Sequence, residues 1–288
     1  MILVILLSLL LVTVSAVDGG QHMQLWDGPA PAGGGMSETA PADAIITVHR
    51  PAQPNGVAIV ICPGGGYGMR MSGPEGHVIA TWLNVHGITG VVLDYRLPKG
   101  RAEVPLADAQ RAIRLTRGNA AAWGVDPKRV GIMGFSAGGH LAASAATLAV
   151  PGITGSPDPL ERLSSRPDFA ILVYPVISMQ DGLVHGGSRT NLLGANPTAE
   201  VTERFSPERH VSATTCPVYL AHAVDDTVVS IDNSRIFTAA MRAAKRPVEL
   251  LELPSGGHGL NGYQGPSWDA WQSGCLRWLA EQPFQVGR

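Results

Sequence analysis

The chain has 288 residues, 45% hydrophobic and 15% charged, with a formal net charge of −2. That length fits one large α/β domain or two small ones, and the composition excludes disorder and coiled coil. No run of Lys or Arg is longer than a pair, so the sequence carries no electrostatic footprint for nucleic acid.

The chain opens with an apolar run from Ile2 to Val14, interrupted only by Ser8 and Thr13, and Val14-Ser15-Ala16 follow as small residues. This predicts a signal peptide over residues 1–16 and a secreted or periplasmic protein. The run, roughly 13 residues, is too short to span a bilayer comfortably, so no stable membrane association is expected. No Lys or Arg precedes it, which departs from the usual signal and leaves an uncleaved anchor as the alternative. Residues 17–43 hold Gly28-Pro29, Pro31 and Gly33-Gly34-Gly35 and read as an extended surface segment.

From residue 44 to 288 strand and helix signals alternate. Strands are expected at 44–48, 57–62, 90–95, 129–135, 169–177, 218–223 and 248–253. Helices are expected at 76–86, 106–123, 137–149, 233–244 and 268–281. This order predicts a single α/β domain, a mostly parallel sheet of about eight strands with helices on both faces. Residues 178–216 read as an irregular insertion. Cys62, Cys216 and Cys275 match no metal motif and read as buried small hydrophobes.

The chemistry-bearing motifs sit at strand ends, where α/β sites assemble. Gly134-Phe135-Ser136-Ala137-Gly138 fits G-x-S-x-G, after an apolar strand and before a helix. That context is what a nucleophile elbow needs, and it resembles the α/β-hydrolases. The tight turn lifts the Ser136 hydroxyl to the start of a helix whose dipole favours negative charge. An oxyanion hole needs two backbone N–H donors. Ala137 is one candidate; Gly65 or Gly66, in the Pro63-Gly64-Gly65-Gly66-Tyr67 loop, is the other. P-loop and dinucleotide fingerprints both fail at these glycines.

In this fold the chain order is Ser, then Asp or Glu, then His. Of nine histidines, His258 alone combines a Gly-flanked loop with the position after the last strand. Asp225 and Asp226 compete for the acid, and only one should face His258. Related hydrolases with the arrangement H-G-x-x-D-x-x-V-P carry the acid at the position of Asp226. His140, Glu75, Asp108 and Arg111 read as structural, and His222 as a residue lining the site near the acid or a structural one. The expected catalytic set is therefore Ser136, Asp226 and His258, with no metal or cofactor.

The motifs together resemble bacterial secreted acetyl esterases and acetylxylan esterases, on a branch close to the feruloyl-esterase-like hydrolases. The resemblance rests on Cys62-Pro63-Gly64-Gly65-Gly66-Tyr67-Gly68, Glu75-Gly76-His77, Tyr95-Arg96-Leu97, the stretch from Asp108 to Arg114, and the elbow through His140. Tyr174-Pro175-Val176-Ile177-Ser178-Met179, Asn191-Leu192-Leu193-Gly194 and the two late loops continue it. It implies removal of acetyl groups from plant polysaccharide. Ser230 departs from relatives that carry Pro there. The insertion is polar, with His185, Arg189, Asn191 and Arg204, and suits a sugar better than a lipid. His185, Arg189 and Tyr67 are the candidate substrate contacts; Tyr67 either lines the acyl pocket or packs over the glycine loop. The alternatives are a general small-acyl carboxylesterase and a non-catalytic binding protein on the same scaffold.

Overall fold

The computed structural model describes residues 20–28, 30–31 and 44–282. The segment read as a signal peptide lies outside them. Eight strands form one sheet in the order β1-β2-β4-β3-β5-β6-β7-β8. They are β1 (Gln21–Gln24), β2 (Ile45–His49), β3 (Gly56–Cys62), β4 (Thr89–Asp94), β5 (Val125–Phe135), β6 (Ala170–Val173), β7 (Val218–Ala223) and β8 (Val248–Leu253). The β1–β2 and β2–β4 pairs are antiparallel, and every other pair is parallel.

Parallel strands buried on both faces should be apolar at every position. In β3, Ala58, Val60 and Cys62 point into one core, while Val57, Ile59 and Ile61 point into the other. The first core is closed by α2 (Glu103–Gly118), α4 (Ala137–Thr147) and α7 (Asp232–Ala243). The second is closed by α1 (Val78–Val85) and α9 (Gly265–Glu281), the latter through Trp268, Trp271 and Trp278. The remaining helices are short: α3 (Ala120–Trp123), α5 (Gly186–Leu193), α6 (Ala199–Arg204) and the single turn α8 (Leu260–Tyr263).

Several expected boundaries shift for identifiable reasons. Residues 21–24, expected as part of an extended surface segment, instead add the edge strand β1, and Leu25 behind it is buried. Trp26 Nε1 donates to Asp108 Oδ1 at 2.8 Å, pinning this segment to α2. The helix expected at 76–86 begins as a π turn, Gly73–His77, before α1. The helix expected at 106–123 breaks at Asn119 into α2 and α3. The strand expected at 169–177 pairs only over β6, because Tyr174 turns to φ 38°. The insertion is more ordered than expected and contains α5 and α6.

Candidate active site

The elbow between β5 and α4 is strained. Ser136 sits at φ 52°, ψ −119°, a region that costs a non-glycine residue on the order of 1–3 kcal/mol. It is tolerated because the elbow is crowded on both sides. A Cβ at Gly134 would overlap the Gly138 carbonyl, and one at Gly138 would overlap the Cys62 carbonyl. Ala137 opens α4, so its N–H is among those that a helix start leaves without an intrahelical acceptor.

Ser136 Oγ lies 2.9 Å from His258 Nε2, and His258 Nδ1 lies 2.8 Å from Asp226 Oδ2. An ionised carboxylate only accepts, so Nδ1 carries the proton and Nε2 accepts from the Ser136 hydroxyl. The three groups come from loops following β5, β7 and β8. Asp226, rather than Asp225, meets the imidazole. Asp225 instead accepts from the N–H groups of Gly256 and Gly257, at 3.2 and 2.8 Å, and braces the loop that carries His258.

Asp226 Oδ1 accepts from the N–H groups of Val228 and Val229, both at 2.9 Å. His222 Nε2 faces Asp226 Oδ2 at 3.2 Å and the Val229 carbonyl at 2.9 Å; both accept, so it donates. The Ser234 hydroxyl lies 2.8 Å from His222 Nδ1. Burial alone would raise the Asp226 pKa. The bonds from His222, His258 and the Val229 N–H, with the nearby His258 charge, outweigh it and hold the carboxyl well below its ordinary range.

The glycine loop after β3 is fixed by a residue read from sequence only as structural. Buried Glu75 accepts from Gly64 N–H at 2.7 Å, Tyr174 Oη–H at 2.8 Å and Tyr263 Oη–H at 3.2 Å. It therefore ties together the glycine loop, the end of β6 and the turn that follows His258. The Tyr174 ring packs 4.9 Å from the His258 ring. Burial pushes the Glu75 pKa up, against those three bonds and the His258 charge. The Gly65 and Gly66 N–H groups donate to no acceptor among the described residues. Gly65 has φ 119°, and a Cβ there would collide with the backbone at Met69, 2.8 Å from its carbonyl carbon.

The candidate substrate contacts divide. Tyr67 is buried, and its hydroxyl lies 2.8 Å from His140 Nδ1, so it packs within the fold and does not line an open pocket. His140 is itself buried, between Tyr67 and the Phe205 carbonyl; burial lowers its pKa to about 4, with the Phe205 bond opposing. Arg189 pairs with the exposed Asp181. His185 caps α5, with Nδ1 2.9 Å from Ser188 Oγ and accepting from Ser188 N–H at 3.3 Å. Burial lowers its pKa, with His258 adding to the effect and Asp226 opposing it. Asp108 and Arg111 are structural. Asp108 forms a buried pair with Arg96 at 2.7 Å, and Arg111 binds Asp158 and stacks over Trp26. Among the described residues no group of three His, Cys, Asp or Glu side chains is placed to hold a metal ion.

The BD-FAE family profile matches residues 46–241. An acetylxylan esterase of Xylanibacter ruminicola is 39% identical over 213 residues, 73% of this chain and 42% of the relative. Endo-1,4-beta-xylanase B of Butyrivibrio fibrisolvens is 36% identical over 220 residues, 75% of this chain and 34% of the relative. The chain thus spans less than half the length of these two relatives. The crystal structure of an acetyl ester-xyloside bifunctional hydrolase from Caldicellulosiruptor lactoaceticus superposes with a TM-score of 0.85 at 35% identity, covering 92% of this chain and 97% of that one. A carboxylesterase from Lactobacillus plantarum superposes at 0.72 with 26% identity, covering 87% and 96%. Fold and likenesses agree: the chain belongs to the BD-FAE family, within the α/β-hydrolase superfamily.

Proposed function

We propose that this protein is a secreted serine esterase that removes acetyl groups from acetylated xylan or its oligosaccharides. The observation carrying the reading is the in-line contact of Ser136, His258 and Asp226 beside the unengaged N–H groups of Gly65 and Gly66. The names of the two xylan-related relatives support the substrate. The apolar run from Ile2 to Val14 supports secretion.

In the mechanism, His258 Nε2 takes the Ser136 proton as Oγ attacks the acetyl carbonyl. The carbonyl oxygen becomes an oxyanion facing Ala137 N–H and the glycine loop. Asp226 keeps the imidazole in the productive tautomer and stabilises it when charged. The sugar hydroxyl then leaves with the proton from His258. Water attacks the acetyl-enzyme, His258 accepts its proton and returns it to Ser136, and acetate departs.

The test is acetate release from acetylated xylo-oligosaccharides, compared with p-nitrophenyl acetate and longer acyl esters. The reading expects acetyl to be preferred over longer chains and the oligosaccharide to be a competent substrate. Ser136→Ala should lower kcat by about 10⁵- to 10⁶-fold. Turnover of aryl esters with no acetate released from xylan would instead favour a general small-acyl carboxylesterase, the reading that the Lactobacillus likeness supports.

A further inference from the structure

The glycine loop poses a mechanical problem. Useful oxyanion donors must be fixed before the charge develops, yet glycine is the residue with the most backbone freedom to lose. Each peptide is planar and trans, so its C=O and the next residue's N–H point in opposite directions. Holding a carbonyl from behind therefore aims the N–H in front.

The loop is held in this way, carbonyl by carbonyl. Gly64 C=O accepts from Met71 N–H at 3.0 Å, which orients Gly65 N–H. Gly65 C=O accepts from Gly68 and Met69 N–H, both at 3.1 Å, which orients Gly66 N–H. These two locks lie within the loop. Gly66 itself sits at φ 62°, and a Cβ there would meet nothing within 4 Å, so sterics do not hold it. Its carbonyl is held from outside: Asn191 Nδ2, on α5 of the insertion, donates to Gly66 C=O at 2.9 Å.

Asn191 is well placed for this work. Its own carbonyl accepts from Gly100 N–H at 2.8 Å, and its neighbours Leu192 and Leu193 are buried. The loop leaves room for the amide, since a Cβ on Gly68 would sit 3.1 Å from Nδ2. A carbonyl only accepts, so the interaction requires the amide nitrogen and not merely a side chain of that size.

We propose that Asn191 is a positioning residue for the oxyanion loop: by holding the Gly66 carbonyl it fixes the Gly66–Tyr67 peptide, so that Gly66, whose own N–H is aimed by the Gly65 lock, is anchored on both sides and does not swing that N–H away from the developing charge. The polar insertion is thereby mechanically joined to the catalytic centre. This rests on the esterase reading above.

The experiment measures kcat and KM for p-nitrophenyl acetate, inhibition by an alkyl trifluoromethyl ketone, and thermal unfolding. It compares wild type with Asn191→Leu, Asn191→Asp and Gly68→Ala. The ketone becomes a tetrahedral oxyanion on Ser136, so its affinity reports on the donors. In Asn191→Leu and Asn191→Asp, kcat should fall roughly 10- to 100-fold, a part of the 10²–10³ that a lost donor costs. KM should stay near wild type, Ki for the ketone should rise by the same factor, and the midpoint should barely move. Gly68→Ala, which crowds the amide without deleting it, should give a smaller loss of the same pattern. Two results overturn the inference alone: an active wild type beside Asn191→Leu with unchanged kcat, or a loss that tracks the unfolding midpoint with ketone affinity intact. A wild type that neither turns over the ester nor binds the ketone takes down the esterase reading, and this inference with it.

Discussion

Asp226 and Glu75 are both buried carboxylates, and both brace elements around His258. Their environments drive them in opposite directions. Asp226 receives four N–H donors, two from backbone and two from imidazoles, and is held below the ordinary carboxylate range despite its burial. Glu75 receives one backbone N–H and two phenol hydroxyls, with no direct bond from a cation, and burial keeps its pKa raised. Burial alone therefore does not decide what a carboxylate does here. The donors decide it: Asp226 is built to be an anion facing a proton carrier, and Glu75 is built to be a three-way fastener.

The largest expected effect falls on the anion. Asp226→Asn should keep the fold and lower kcat by about 10³- to 10⁴-fold, because a neutral amide no longer enforces the Nδ1–H tautomer. Asp225→Asn, one position away, should cost only a few-fold, since it touches the Gly256 and Gly257 amides and not the ring. Steady-state turnover of p-nitrophenyl acetate checks both. Equal losses would erase the distinction between these neighbours.

The fastener should respond in stability more than in chemistry. Glu75→Ala strands the Gly64 N–H and two hydroxyls in a buried place, at about 1–3 kcal/mol for each unsatisfied group. Urea unfolding should show a drop of several kcal/mol, with kcat falling as the glycine loop loosens. Glu75→Gln keeps an oxygen to accept from Gly64 N–H, and its NH2 donates to the two phenol oxygens once those hydroxyls turn, so it should remain folded and active within about tenfold of wild type. If Gln proved as damaging as Ala, charge and not connectivity would be the function of Glu75.

The smallest effects separate the two by pH. Asp226 has a depressed pKa, so its stabilisation is present above the ordinary Asp value, about pH 4, and drains away as pH falls below it. Asp226→Asn should accordingly flatten the acid limb of the stability curve. Glu75 has a raised pKa, so the folded state prefers its protonated form and gains relative stability on acidification. The stability of Glu75→Gln relative to wild type should therefore be greatest near neutral pH and shrink toward pH 4. Chemical denaturation across that range reads both slopes.

The fold class was legible because its cause is local. Runs such as Val57 to Cys62 and Val218 to Ala221 are apolar at every position, as strands buried on both faces need to be. The positions of Ser136 and His258 were legible because tight strand-end turns leave glycine signatures around them. What the sequence hid depends on contacts between distant segments. The edge strand β1 pairs through backbone groups, so Gln21-His22-Met23-Gln24 gives no strand signal of its own. Tyr67 was left open between lining and packing because its partner, His140, is 73 positions away. The bond from Asn191 to Gly66 spans 125 positions, and the bond from Tyr263 to Glu75 spans 188. Asp225 and Asp226 differ by one step along a turn, and only the turn's geometry separates them.

The central claim is that one serine hydroxyl, activated by His258, performs the chemistry. Its most direct test is titration of the full chain with a fluorophosphonate, following residual esterase activity and mapping the adduct by peptide mass spectrometry. The account predicts a single adduct on Ser136, activity lost in proportion to labelling, and labelling greatly slowed in His258→Ala. Full labelling with activity retained, or an adduct on another residue that accounts for the loss, would contradict it.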